Sequence, residues 1–410
     1  MSDEPLVEHL FRHQFGKMVS VLTRIFGLSN LEMIEDAVQD TFVNALTKWR
    51  IQAPDDPEAW LMQAAKNRMV DLFRKTKAEN KHTEQLYYSP GAHHLNELFL
   101  DHEIEDAQLR MIFVACHPAL KPEEQIAFAL RSIAGFNIKE IAVGLLLPEE
   151  TVKKRLQRAR KKVVDQGIEF AVPSGADLLP RFNRVMDVIY LIFNEGFQST
   201  HQAQIIKKDL CGEALRLCQL LLKRDEMRSS KLYALFALLC FHSSRLDTKI
   251  SQEGELIDLE HQDRTQWFWP LIKLGNEAMN KAMESDELST YHFEAAIAGE
   301  HIKARTFAET DWNQIAHWYA CLLEWHDHDI YRLNLAYVHI QQGNFANAER
   351  LLLQIPPKNL ADRQYLLFGT WAELHKAKGD RQKANASLKE AIEAVTNDVE
   401  RRYLEGKLRG

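Results

Sequence analysis

The densest charge in this sequence is basic and lies between Lys153 and Lys162, where seven of ten residues are lysine or arginine. No acidic residue occurs from Thr151 to Val164. Cations at this density neutralise phosphates, so the chemistry that the run indicates is ionic binding to a nucleic acid. A solvated helix face is the alternative, because a run of charges on a helix is commonly just its exposed side.

An apolar stripe at helical spacing predicts that this run is a helix with one buried side. The stripe consists of Val152, Leu156, Ala159 and Val163, and the basic residues predicted to point away from it are Lys153, Lys154, Arg155, Arg158, Lys161 and Lys162. Pro148 and the two glutamates after it predict where the helix begins. Helices predicted at 122–133 and 138–145, with a glycine-containing turn at 134–137, complete a helix-turn-helix, whose second helix enters the DNA major groove.

A second basic stretch runs from Lys66 to Lys81 and contains six lysines and arginines, with Trp60 and Phe73 in or near it. It belongs to a helix predicted to begin near Pro57, after a loop rich in proline and aspartate. Cations interleaved with aromatic rings suit single-stranded nucleic acid, since bases stack on the rings while phosphates meet the cations. Burial of the rings in a core is the alternative, and we favour it for Phe73.

The helix predicted at 31–49 has an apolar face and an acidic face. The apolar face carries Ile34, Val38, Phe42, Ala45 and Trp49. The residues predicted to lie mostly on the other face are Glu32, Glu35, Asp36, Gln39 and Asp40. Such an acidic surface is either merely solvated or a docking site for a protein partner.

The basic helix and the turn before it resemble a known protein family. Residues 140–162 look like region four of bacterial extracytoplasmic-function (ECF) sigma factors, the segment that reads the −35 promoter element. The resemblance implies −35 DNA contacts by Thr151, Lys153, Lys154, Arg155, Arg158 and Lys161.

The N-terminal helices resemble region two of the same family. Residues 35–42 look like its helix for binding core RNA polymerase, which implies polymerase contacts by Asp36, Gln39, Asp40 and Phe42. The helix after Pro57 resembles the one that opens the −10 element, which implies −10 DNA contacts by Asp56, Trp60, Lys66, Asn67, Asp71 and Arg74. In that role the loop at 52–58 receives a flipped base, and the amide of Asn67 reads its edge.

The composition limits the class of protein. An apolar fraction of 46% and a charged fraction of 27% are those of a soluble globular chain, long enough at 410 residues for two or three domains. The net charge of −7 makes the basic surface local, which fits a protein that a larger partner delivers to DNA. Five scattered cysteines without a CxxC pair, no secretory signal and no apolar run of membrane length predict a cytoplasmic protein.

Helical periodicity continues almost throughout, so the predicted fold class is all-α. The predicted domains are region two at 1–80, a linker at 81–105, region four at 106–172 and a helical extension at 173–410. The extension contains a repeat, because Ala336, Gly343 and Ala348 recur 36 positions later as Ala372, Gly379 and Ala384. That offset is close to the ~34-residue tetratricopeptide (TPR) period. A solenoid of such helix pairs presents a concave surface to a peptide or a domain, although the helices could also serve only to pack.

We therefore expect an alternative sigma factor that binds core RNA polymerase and promoter DNA. The extension is expected to regulate it or to bind a protein or peptide partner. The extension also resembles that of one ECF subgroup, at 181–197, 259–267 and 310–312. We expect no catalysis and no cofactor, since phosphate-loop and hydrolase motifs are missing. We also expect no metal, because no cysteine or carboxylate lies at ligand spacing from the histidines at 93–94, and because His326 and His328 lie in a predicted loop, where polar residues are common. The alternative is a stand-alone helix-turn-helix regulator with a TPR effector domain. The segment 31–75 argues against it, because such a regulator makes no polymerase contact that would require this segment.

Overall fold

The computed structural model describes residues 4–49, 53–79, 101–145, 147–198, 204–251, 254–396 and 398–409. Within these ranges the chain forms eighteen α-helices joined by turns and short 3₁₀ segments, and the β-structure is one isolated bridge between Ile250 and Leu256. The all-α prediction is confirmed. The chain forms two compact units, Met1–Ile192 and Phe193–Gly410.

In its described residues the first unit contains eight helices, the last of which continues past Ile192. They are α1 Glu4–Phe26, α2 Leu31–Lys48, α3 Pro57–Glu79, α4 Asp101–Ala115, α5 Pro122–Ser132, α6 Ile138–Gly144, α7 Glu149–Asp165 and α8 Leu178–Gln198. Helix α1 packs against α2 and α4 and contributes Phe15, Met18 and Leu22 to the core. Most of the predicted linker lies outside the described residues, and its last part, 101–105, is the first turn of α4.

Helices α5, α6 and α7 form the predicted helix-turn-helix. Asn137 caps α6, because its side chain accepts a hydrogen bond of 2.9 Å from the backbone N–H of Glu140. The Glu140 carboxylate accepts one of 2.7 Å from the N–H of Asn137 in return, which completes a capping box. The apolar stripe of α7 is confirmed, since Val152, Leu156, Ala159 and Val163 are all at most 2% exposed. This burial turns the basic side of α7 outwards.

The second unit contains the remaining ten helices. They are α9 Gln204–Leu222, α10 Ser230–Ser243, α11 Trp269–Ala282, α12 Thr290–Lys303, α13 Trp312–Trp325, α14 Asp329–Gln341, α15 Phe345–Leu353, α16 Gln364–Ala377, α17 Arg381–Ala394 and α18 Asp398–Arg409. Helix α10 is apolar almost all round, and α9, α11 and α12 pack around it. All five cysteines of the chain are free, and four of them are buried.

The 36-residue repeat is visible as two helical hairpins, α14–α15 and α16–α17. Their turns are built alike: Asn344 N–H donates to the carbonyl of His339 at 2.8 Å, and Asp380 N–H donates to that of His375 at 2.9 Å. Both turns need glycine, because φ is +72° at Gly343 and +81° at Gly379. The alanines predicted at the helix crossings are buried. No helix in the described part of the chain is long and apolar enough to cross a membrane.

Candidate functional site

Helix α7 presents a continuous cationic surface. Lys153, Lys154, Arg158 and Lys161 are exposed, and Thr151 and Arg155 are half-buried beside them. Lys154 lies 3.7 Å from Glu150, a surface ion pair one turn away. All six predicted −35 residues therefore lie on one helix, outside its buried stripe. A surface of this kind neutralises phosphates and places side chains against base edges when a helix enters the major groove.

Lys162 and Arg160, in the same basic run, point away from that surface. The Lys162 ammonium donates to Glu124 at 2.7 Å, and Glu124 is 3% exposed, so Lys162 lies outside the buried stripe but is half-buried in an ion pair and does not belong to the exposed basic surface. Burial opposes ionisation of Glu124, but hydrogen bonds from Lys162 and from the Lys121 backbone outweigh it and lower its pKa. Because Lys162 adjoins Val163 of the buried stripe, its long side chain reaches back to α5.

Helix α2 carries an open groove on its acidic side. Asp36, Gln39 and Asp40 are exposed and line it together with Glu32 and Arg68, around a volume of about 720 Å³. The Arg68 guanidinium of α3 donates to Asp40 at 2.9 Å and so forms one wall. Partial burial, and next the charge of Glu32, raise the pKa of Asp36. Three of the four predicted polymerase-facing residues therefore share one surface.

Phe42, the fourth predicted polymerase contact, lies in the core. Its side chain is 3% exposed and its ring meets that of Phe11 at 4.9 Å in an edge-on arrangement. The reason is helical spacing, because position 42 continues the stripe of Ile34 and Val38, both fully buried. Assigning Phe42 to the polymerase-facing surface is therefore wrong in this structure.

Helix α3 places four of the predicted −10 residues along one side. Trp60, Asn67, Asp71 and Arg74 are spaced by seven, four and three positions and so follow one stripe. Asn67 is exposed, and its carbonyl oxygen accepts a hydrogen bond of 2.9 Å from the Gln63 amide. Asp71 and Arg74 are exposed and lie 3.8 Å apart. This stripe combines an aromatic ring, an amide and a cation, which suits an unstacked single strand.

The aromatic rings of α3 differ in what they contact. Trp60 is half-buried, lies edge-on to Trp49 at 5.3 Å and has the Lys48 ammonium 5.8 Å from its centroid. Phe73 stacks on Phe26 at 5.0 Å, which confirms that it is a packing residue. Trp60 therefore combines packing with an accessible face, whereas Phe73 serves the fold.

Lys66 and Asp56, also predicted to contact the −10 element, have different surroundings. Lys66 is 7% exposed and lies about 120° around α3 from Trp60, so it is turned into the core and its prediction as a DNA contact is wrong in this structure. Asp56 is exposed and accepts a hydrogen bond of 3.0 Å from the Ala59 N–H, which caps α3. Gln52, at the start of the proposed base pocket, lies outside the described residues.

Glu35 is the residue of α2 that the sequence misplaced. The sequence pattern predicts Glu35 on the acidic outer face, but the side chain is fully buried and contacts Ser132, Arg131 and Arg160 from α5 and α7. Nothing in the local pattern marks these contacts, because the partners lie about a hundred residues further along the chain.

The second unit contains a cavity of about 260 Å³ at the level of the helical repeat. Tyr319, Asn334 and Tyr337 line it, together with Asp258 and the exposed Glu260. Burial raises the pKa of the Tyr319 and Tyr337 hydroxyls well above the usual range, so both stay protonated as hydrogen-bond donors. The residues that line the cavity thus include aromatic rings, hydroxyl and amide groups, and two carboxylates.

Metal binding finds no support in the described part of the chain, where no three histidine, cysteine, aspartate or glutamate side chains converge on a common point. The histidines at 93–94 lie outside that part.

Comparison with known proteins matches three segments. Residues 10–79 match the family Sigma-70 region 2, residues 110–163 match Sigma-70, region 4, and residues 181–283 match a family of unknown function. An uncharacterised protein of Rhizobium meliloti is 30% identical over 394 residues, which is 92% of this chain and 90% of the relative. No solved structure matches the chain.

Two relatives with names share the N-terminal part. The ferric citrate uptake sigma factor FecI of Escherichia coli is 29% identical over 152 residues, 37% of this chain and 85% of its own. The ECF RNA polymerase sigma factor SigE of Mycolicibacterium smegmatis is 24% identical over 176 residues, 39% of this chain and 61% of its own. The chain belongs to the ECF-type sigma factors, is an alternative sigma factor whose partners are core RNA polymerase and promoter DNA, and carries a helical C-terminal extension.

Proposed function

We propose that three surfaces of the first unit divide the work of promoter recognition. The groove of Asp36, Gln39 and Asp40 binds core polymerase. The α3 stripe from Trp60 to Arg74 holds the −10 strand, and the basic side of α7 docks at −35. The observation that carries the proposal is the α3 stripe, because a ring, an amide and a cation aligned on one helix side are what a melted strand needs and a duplex-binding regulator does not.

The domain limits follow the same division. Region two extends over 1–80 and region four over 106–172, and the extension begins at 173, close to where α8 starts. The protein acts by binding rather than by catalysis, and it acts in the cytoplasm, where polymerase and promoter meet.

Reconstitution with core RNA polymerase tests this assignment. The purified chain is mixed with core, and transcription is measured from the DNA upstream of its own gene. We expect stable core binding, a promoter-dependent transcript, and loss of core binding in Asp40→Ala. A matched control is Asp286→Ala, which removes a carboxylate at an exposed position of the second unit, away from the three proposed surfaces. DNA binding without core binding would instead favour a stand-alone regulator.

We propose further that the extension binds a protein or peptide partner and so regulates the sigma domains. Support comes from the cavity beside the repeat, whose aromatic walls provide apolar contact area and whose Asp258 and Glu260 favour a basic segment. His301, another residue that lines the cavity, adds no positive charge of its own, because burial and then Arg245 lower its pKa to about 3 and keep it neutral.

Cells carrying three forms of the chain test the role of the extension. These are the full chain, a chain that ends at Val172 and so lacks the whole extension, and the full chain with Tyr337→Ala in the cavity wall. We expect both altered forms to change promoter activity or its regulation in the same direction. Unchanged activity and unchanged regulation in both would show that the extension has no regulatory part.

A further inference from the structure

A buried ionic cluster joins the N-terminal helices to the helix-turn-helix. Glu35 of α2 is fully buried and accepts a hydrogen bond of 2.7 Å from the Ser132 hydroxyl. The Arg131 guanidinium lies 3.4 Å from the same carboxylate, and that of Arg160 donates to it directly. A buried carboxylate is tolerated only when it is paired and hydrogen-bonded, so Glu35 would not be buried without its partners on α5 and α7. The cluster exists only while the two parts are packed together.

A close backbone approach supports the same contact independently. Gly16 stands inside the long helix α1, where glycine is less favourable than alanine. A β-carbon at this position would lie 1.7 Å from the carbonyl oxygen of Ile133, at the end of α5, and would clash with it. The Arg131 guanidinium also lies 4.6 Å from the Phe15 ring of α1. The contact between α1 and the end of α5 therefore requires glycine at position 16, whereas α1 by itself would not.

The packed arrangement is incompatible with simultaneous binding of both promoter elements. By their names, the −10 and −35 elements lie about 25 base pairs apart, or about 85 Å of duplex at about 3.4 Å per base pair. Helix α3 packs against α2, and Arg160 of α7 also contacts α2. The 18 residues of α2 extend only about 27 Å. Surfaces packed on one such helix cannot reach both elements.

We propose that regions two and four form a closed, self-inhibited module locked by Glu35 and Gly16, and that core polymerase opens it by competing for α2. This rests on the proposed polymerase and promoter surfaces. The competition is direct, because Arg131 donates to Gln39 at 3.2 Å and Arg160 to Glu32 at 3.3 Å, and both acceptors line the polymerase groove. Polymerase and region four therefore exclude each other on this helix.

The chain between the two regions permits the opening. Twenty-one residues separate Glu79 from Asp101, and covalent geometry lets such a length reach at most about 70 Å. Together with the widths of the two domains, this covers the separation of the promoter elements.

The test measures the distance between the two regions in the full chain by double electron–electron resonance. Spin labels are placed at exposed positions on α2 and α7, Asn44→Cys and Gln157→Cys, in a Cys321→Ser background. Gly16→Ala removes the close approach while favouring α1 as a helix. Gly212→Ala is the matched control, because that helical glycine has open space around it. We expect one short distance in the parent and the control, and a long-distance population in Gly16→Ala or on addition of core polymerase.

The same proteins are then assayed for transcription at limiting sigma factor. If the open form is at most about 10% populated in the parent, full opening in Gly16→Ala raises the competent fraction, and with it the transcript, at least about tenfold. Glu35→Gln provides a second variant if Gly16→Ala fails to fold, since it keeps the shape and the Ser132 hydrogen bond and removes the charge.

The outcomes separate the two proposals. A parent without the short distance, or variants that open without gaining transcript, overturn the closed module even when the parent is an active sigma factor. Short distances in the parent that lengthen in Gly16→Ala, with no core binding or transcript from any form, keep the closed contact and overturn the proposed function.

Discussion

Asn67 offers the amide that base recognition needs, and its removal should affect one position of the −10 element. We expect Asn67→Ala to relax base preference there by about 1–3 kcal/mol, the worth of a good base contact. Transcription from −10 variants with single base changes measures this. Gln63→Ala is the control, because it removes only the group that donates to Asn67. Equal losses on all −10 variants would contradict a role in base recognition.

Lys161 and Lys162 are adjacent lysines with different surroundings, so they form a natural pair for a test of phosphate contacts. Lys161 is exposed on the basic side of α7, whereas Lys162 is bound to Glu124. Lys161→Ala should weaken promoter binding equally on all sequences and reduce the slope of log K against log salt by about one. Lys162→Ala should leave that slope unchanged. The measurement is promoter binding by the complex of each variant with core polymerase, over a series of salt concentrations. A loss of binding in Lys161→Ala that depends on the promoter sequence would contradict the assignment of Lys161 to a phosphate contact.

At the scale of elements, the ion pair between α5 and α7 should make the helix-turn-helix sensitive to acid. The pKa of Glu124 is lowered in the folded state, so its stabilisation is complete above the ordinary glutamate value of 4.5. That stabilisation is lost as the pH falls below 4.5 through the lowered pKa. Glu124→Gln should therefore reduce stability at neutral pH and flatten the acid limb of the stability curve.

Chemical denaturation between pH 7 and the acid limit measures the effect of Glu124→Gln. The control is Glu149→Gln, which removes the same charge at an exposed position of α7. An acid limb that keeps its steepness in Glu124→Gln would show that the pair does not contribute.

The capping box of α6 is a second feature of the element scale, because it sets where the turn ends and the short helix begins. Asn137→Ala removes the side chain that accepts from Glu140 and should reduce stability by about 1 kcal/mol. Asn44→Ala, at an exposed interior position of α2, should instead be neutral or stabilising, because alanine is the better helix former. The stability of the two variants is compared by their midpoints of denaturant unfolding. Equal changes in stability in Asn137→Ala and Asn44→Ala would rule out a capping role for Asn137.

At the scale of the whole molecule, the net charge of −7 opposes DNA binding by the free chain. The cations that bind phosphates are concentrated on α7, and the acidic remainder of the chain repels DNA. We expect the free protein to bind its promoter with a Kd no better than about 10⁻⁶ M, the non-specific range, and to gain specificity only with core polymerase. Fluorescence anisotropy with and without core measures this. Tight specific binding by the free chain would contradict the prediction and the closed module.

The comparison of sequence and structure is clearest at single residues of α2 and α3. Periodicity put Phe42 on the apolar face of α2, while family resemblance put it against polymerase, and the structure agrees with periodicity. The family resemblance also implies a DNA contact for Lys66, yet the position of Lys66 around α3 turns its side chain inwards. In both cases the angular position on the helix was a better guide than residue type or family role.

The sequence by itself determined the helices, the outward basic side of α7, the 36-residue repeat and membership of the sigma factor family. These follow from patterns within a few turns of the chain, where 3.6-residue periodicity and turn glycines act locally. Only the tertiary structure decided that Glu35 is buried, that Arg160 and Lys162 leave the basic surface, and that Gly16 meets Ile133. Those contacts join residues up to 125 positions apart, and their energies depend on which helices pack together, which no local pattern encodes.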